Sequence, residues 1–98
     1  MVQGIENLAA LTGSILARRT HPELNEFDLV SLELSANHAI AGLPHLVQGN
    51  VGDVIELAIR RTLLGSSGAG SKLSCRAKFT PVGIMAESHP ADENFVIR

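Results

Sequence analysis

The chain has no tryptophan and no tyrosine, and its three aromatic residues are Phe27, Phe79 and Phe95. So small a set argues against an aromatic cage, a base-stacking platform of several rings or an aromatic hot-spot interface. Cysteine occurs once, at Cys75, which rules out an internal disulfide framework and fits a reducing compartment. No apolar run approaches the ~18 residues that a membrane-spanning helix needs. The first residues also lack the basic segment and unbroken apolar run of a secretory signal, because Glu6, Asn7, Thr12 and Ser14 interrupt them. A basic excess is missing too: 8 Lys and Arg against 10 Asp and Glu leave a net charge of −2. Binders of nucleic acid that work mainly by electrostatics carry such an excess, so any role of that kind must rest on local patches.

What remains is an ordinary globular composition, 45% apolar and 18% charged over 98 residues. This reads as one soluble, cytoplasmic domain. Ile5, Leu8, Leu11 or Thr12, Ile15 and Leu16 recur at three- and four-residue spacing. They predict a helix over about 4–20, ended by Arg18-Arg19 and by His21-Pro22. From Asp28 the period becomes two: Val30, Leu32, Leu34 and Ala36 alternate with Ser31, Glu33, Ser35 and Asn37. That predicts a strand at about 28–35, against a competing helix from Asn25 to Gly42. His38–Val47 reads as a weak second strand, confined by Pro44 to an edge or bulge, with a turn at Gln48-Gly49-Asn50.

Val51–Leu64 reads as a second helix, acidic early (Asp53, Glu56) and basic late (Arg60-Arg61), which complements the helix dipole. Gly65–Ser71 is a glycine and serine loop. Leu73, Cys75, Ala77 and Phe79 then alternate with Ser74, Arg76 and Lys78, predicting a strand with a basic outer face. Ile84-Met85-Ala86 continues it beyond Thr80-Pro81. An acidic tail precedes Phe95-Val96-Ile97, which either frays or docks on a neighbouring element. The order helix-strand-strand-helix-(glycine loop)-strand is that of an α+β two-layer domain.

No residue set points to catalysis. His21, His38, His45 and His89 form no i, i+4 pair, and there is no Cys-x-x-Cys, so no metal spacing is present. Cys75 falls on the inward face of its strand and reads as a core residue. The loop serines lack the Gly-x-Ser-x-Gly spacing of a nucleophile elbow, and no Walker loop is present. Neither an enzymatic activity nor a cofactor is expected. The Gly65-x-x-Gly68 spacing admits a binding reading, since KH domains use such a loop to approach a nucleic-acid backbone closely. Seven of the eight cations, Arg18, Arg19, Arg60, Arg61, Lys72, Arg76 and Lys78, lie at the two expected helix ends and on the last strand. If those three places converge, they form a basic patch.

With these features in order, the chain resembles the ribosome-binding factor A family, small proteins that aid maturation of the small ribosomal subunit. The resemblance rests on Ile15-Leu16-Ala17-Arg18-Arg19, then His21-Pro22-Glu23-Leu24 where the family tends to have Asp-Pro-x-Leu, Leu34-Ser35 with Ala41 six residues on, Gly65 at the family's helix kink, and Arg76, Thr80-Pro81 and Ser88. The chain departs from the family at Leu63, where the kink carries alanine, and at Gly42-Leu43-Pro44, which interrupts the expected second strand. The resemblance implies a KH-like fold that binds the small ribosomal subunit and its rRNA without catalysis. Arg18, Arg19, Arg60, Arg61, Lys72, Arg76 and Lys78 would contact phosphates, and Gly65 and Gly68 would allow close backbone approach. Reversing Arg60, Arg61, Arg76 and Lys78 to Glu is the corresponding test. Two further readings remain: a homodimeric interaction module that buries an edge strand and the Phe95–Ile97 tail, and a ribbon-helix-helix DNA-binding regulator with Val30–Leu34 as its ribbon and Asp53–Leu64 as a helix.

Overall fold

The computed structural model describes residues 6–98, and the regular structure there is almost all strand. These are β1 (Ala9–Thr20), β2 (Phe27–Ala39), β3 (Val54–Arg60), β4 (Lys72–Thr80), β5 (Gly83–Ala86) and β6 (Phe95–Ile97). A one-turn helix, α1 (Arg61–Leu64), follows β3, and a 3-10 turn at Asp92–Asn94 precedes β6. The sheet runs β1-β2-β3-β5-β4, and β1 pairs back on β4, so the five strands close into a barrel with β6 added outside it. Neighbouring strands are antiparallel except β3 and β5, which run parallel through Leu57 opposite Ile84 and Ala58 opposite Met85.

The α+β, KH-like expectation is therefore overturned. The first expected helix is β1, apart from positions 4 and 5, which lie outside the described residues. Its core face is set by alternation: Ala9, Leu11, Gly13 and Ile15 are buried, whereas Leu16, which completed the helical stripe, is 47% exposed. Gly13 interrupts the alternation for any count of apolar residues, yet glycine is what the position requires. A Cβ there would collide with the Glu33 carbonyl and lie 2.9 Å from Leu32 Cγ, where the pairing of β1 with β2 shifts register. The second expected helix is β3 plus α1, because Ile55, Leu57 and Ile59 face the interior while Val54, Glu56, Ala58 and Arg60 face out. Two-sided pairing of β1 satisfies its main chain along both edges, and that outweighs local helical propensity.

The strand expected at 28–35 is β2, longer at both ends, and that expected from Leu73 to Phe79 is β4. The weak second strand expected at His38–Val47 is instead the end of β2, His38 and Ala39, followed by a loop from which Val47 enters the core at 1% exposure. Asn37 anchors that loop, donating from Nδ2 to the carbonyls of Val47 (3.1 Å) and Gly49 (3.0 Å), while its Oδ1 lies 2.7 Å from His45 Nε2. The interior is aliphatic, built around Leu11, Ile15, Val30, Leu32, Leu57 and Ile59, with Leu64 of α1 buried at the end of β3. Cys75 is buried among them as expected, whereas Phe79 is 52% exposed. Asn7 extends the β1–β4 ladder by one more step: its amide donates to the Phe79 carbonyl (3.0 Å) and accepts from the Phe79 N–H (2.8 Å).

Candidate nucleic-acid interface

Cross-strand register places one residue from each barrel strand in a single outward row. Arg19 on β1 stands opposite Leu29 on β2, Leu29 opposite Ala58 on β3, Ala58 opposite Met85 on β5, and Met85 opposite Lys78 on β4. Residues directly opposite share a face of the sheet, and Ala58 points away from the interior because Leu57 and Ile59 on either side of it fill the core. The row has an exposed cation at each end, half-buried Leu29 and Met85 inside them, and buried Ala58 at its centre. It crosses four inter-strand spacings, roughly 19 Å along the curved surface. Two residues further along the same face, Phe27 pairs with Arg60, which places the one aromatic ring of β2 beside a guanidinium. Arg60 is oriented by the Ser88 carbonyl and by His89 Nε2, both 3.2 Å from its Nη1.

Acidic side chains moderate the charge of this face. Glu56 takes an ion pair from Arg19 at 3.3 Å and hydrogen bonds from Ser31. Lys78 makes no ion pair among the described residues.

The remaining cations of the expected patch are held in other contacts. Arg18 Nε donates to Asp28 Oδ2 at 2.8 Å and Arg61 Nε to Asp28 Oδ1 at 3.0 Å. Arg18 Nη1 also donates to the carbonyls of Gly65 (2.8 Å) and Ser67 (2.6 Å). The Gly65–Gly68 loop thus turns two carbonyls inward onto Arg18 and fastens the chain after α1 to β1 and β2. Burial opposes the charge on Asp28, but hydrogen bonds and attraction from Arg18 and Arg61 win and hold its carboxyl below the ordinary 3.8. Lys72 donates to Ser14 Oγ at 2.8 Å across the β1–β4 pairing. Arg76 Nε faces Glu87 Oε1 at 3.8 Å, and neither of those buried atoms has a hydrogen-bond partner.

Of the residues expected to contact phosphate, the structure brings Arg19, Arg60 and Lys78 onto one face, ties Arg18, Arg61 and Gly65 into the clamp on Asp28, and sets Lys72 apart on the β1–β4 pairing. Phe27, Leu29 and Met85 were not singled out by the sequence. The signal was there only in cross-strand register, which a single chain does not display. Among the described residues no three His, Cys, Asp or Glu side chains gather as a metal site, and no helix is long and apolar enough to cross a membrane.

Closure of five strands in this order defines the class: a small closed β-barrel in which only β3 and β5 run parallel. Comparisons with protein-family models, with curated proteins and with solved structures find no match to the chain. The helix-strand order implied by the ribosome-binding factor A resemblance is not the order observed. A ribbon-helix-helix arrangement needs a helix over 53–64, where β3 lies.

Proposed function

We propose that the chain is a non-catalytic, single-stranded nucleic-acid-binding barrel, whose ligand crosses β2, β3 and β5 between Arg19 and Lys78. The observation that carries this reading is the five-strand row Arg19, Leu29, Ala58, Met85 and Lys78, flanked by Phe27 and Arg60. A single-stranded ligand needs spaced cations for phosphates and apolar or aromatic surface for bases, and this face offers both. Fold alone is a weaker support, since one architecture serves many functions. Lys78, Arg60 and Arg19, the last exchanging its exposed pair with Glu56 for phosphate, let a chain of net charge −2 meet a polyanion through a local strip and with modest affinity.

The test is fluorescence titration of labelled oligo(U) and oligo(dT) across a salt series. Neutralising about three phosphates of a single strand gives a slope of about −2 in log K against log salt. Phe27→Ala should weaken binding by ~1–3 kcal/mol, the cost of one stacked base. Arg60→Glu with Lys78→Glu should abolish it while leaving the melting temperature within a few degrees of the parent. Small ribosomal subunits form the structured-RNA arm, where co-sedimentation that falls with salt would identify ribosomal RNA as the ligand. Absence of binding to all three at low salt would overturn the reading.

A further inference from the structure

Strand β6 lies outside the barrel closure and, among the described residues, pairs with β4 alone and leaves its other edge open. Lys72 and Arg98 exchange both main-chain bonds, the Lys72 N–H reaching the Arg98 carbonyl at 2.7 Å and the Arg98 N–H reaching the Lys72 carbonyl at 2.9 Å. Antiparallel pairs alternate between bonded and non-bonded. Val96, opposite Ser74, therefore also bonds to β4, whereas Phe95 and Ile97, opposite Cys75 and Leu73, turn their main-chain groups away. The Phe95 N–H folds back onto the Asp92 carbonyl. The Phe95 carbonyl and both main-chain groups of Ile97 are left as an open edge, the template on which another strand pairs.

The chemistry of this edge selects its own copy. We infer that two chains associate about a two-fold axis through Val96, with β6 antiparallel to β6 of the second copy. Each Ile97 N–H then donates to the opposing Phe95 carbonyl. On one side of the joined sheet Phe95 meets Ile97 of the second copy, an aromatic and β-branched pair; on the other, the 41%-exposed Val96 meets its counterpart. Charge agrees with the antiparallel sense. Exposed Asp92 and Glu93 precede the strand and exposed Arg98 follows it, and none of them makes an ion pair among the described residues. Two-fold pairing brings each Arg98 to the 3-10 turn Asp92–Asn94 of the second copy, the segment that carries Asp92 and Glu93. A parallel pairing would instead stack like charges. The contact is isologous and closes at two chains. Its small size makes it a concentration-dependent dimer rather than an obligate one.

Sedimentation equilibrium from about 10 μM to about 1 mM reads the outcome. The parent chain should move from monomer toward dimer mass over this range. Ile97→Pro removes the outward N–H along with part of the Ile97 packing on the core, and should stay monomeric with an unchanged far-UV spectrum and a melting temperature only a few degrees lower. Arg98→Glu should weaken association at least tenfold, and adding Asp92→Lys to it should restore most of the loss. This charge exchange decides the matter if the proline variant fails to fold. A parent chain that stays monomeric throughout, an Ile97→Pro variant that dimerises like the parent, or a charge exchange that restores nothing would each overturn the inference.

Discussion

Replacing Asp28 with alanine removes the one carboxylate that holds Arg18 of β1 and Arg61 of α1 to the start of β2. The two pairs are not equal. Arg18 and Asp28 have side chains only 19% and 8% exposed, so that charge-assisted bond belongs near the top of the ~1.5–3 kcal/mol range. The Arg61 side chain is 48% exposed, and solvent screening reduces its share to about 0.5 kcal/mol. A loss of about 3 kcal/mol follows, enough to lower the melting temperature of a domain this size by about 12–24 °C. Arg19→Ala is the control: its ion pair with Glu56 joins side chains 57% and 50% exposed, and its loss should cost less than ~0.5 kcal/mol. Both variants would be compared with the parent by thermal and denaturant unfolding followed by far-UV circular dichroism. The pH dependence carries a definite sign. The carboxyl is held below 3.8 in the folded chain, so its contribution is fully present above the unfolded value and is lost as pH falls through the folded one. The gap between parent and Asp28→Ala should stay constant from neutral pH to about 5 and narrow below about 4. Equal melting temperatures for the Asp28→Ala and Arg19→Ala variants would refute the clamp, as would a gap that widens in acid.

Two further outcomes follow from the interior. Burial, reinforced by the Glu87 carboxylate, pushes the Cys75 thiol up to about 12; alkylating reagents, which need the thiolate, should leave the folded chain unlabelled at pH 8 and modify it fully in denaturant, as mass spectrometry would record. Gly13→Ala sets a Cβ against the Glu33 main chain at the β1–β2 register shift, and should cost about 2 kcal/mol or more in urea unfolding, well beyond an ordinary surface change.

The parts of the fold legible in the sequence are those whose alternation is unbroken. Val30, Leu32 and Leu34 mark β2, and Leu73, Cys75 and Ala77 mark β4; from Val30 to Ser35 and from Lys72 to Lys78 inward positions are apolar and outward ones polar, whereas Phe27, Asp28 and Leu29 reverse that order. The misread elements carry two periods at once. In β3, Ala58 faces outward but is apolar and buried, so Leu57, Ala58 and Ile59 form a continuous apolar run that fits a helix as well as a strand. In β1 the inward Gly13 contributes nothing to the count and Leu16 adds a false stripe. Closure was invisible for a different reason. The pairing of β1 with β4 joins residues about sixty positions apart, such as Leu11 and Cys75, and no local pattern encodes it.

The same distinction governs the charged residues. Clustering in sequence placed seven cations in one patch, but what a cation does depends on the carboxylate or carbonyl that the fold brings to it. Arg18 meets Asp28 across the β1–β2 turn and the Gly65 and Ser67 carbonyls from far along the chain; Arg60, one residue before Arg61, faces the outer surface instead. A combined reversal of Arg60, Arg61, Arg76 and Lys78 would therefore set an anion against Asp28 and another against Glu87. Loss of binding in that variant would report destabilisation as readily as lost phosphate contacts. Reversing Arg60 and Lys78 alone leaves both pairs intact. The two variants should separate in a melting experiment before any nucleic acid is added, the quadruple one falling by several degrees more than the double. Identical melting temperatures would mean that Arg61 and Arg76 are as free of structural duty as their sequence positions implied.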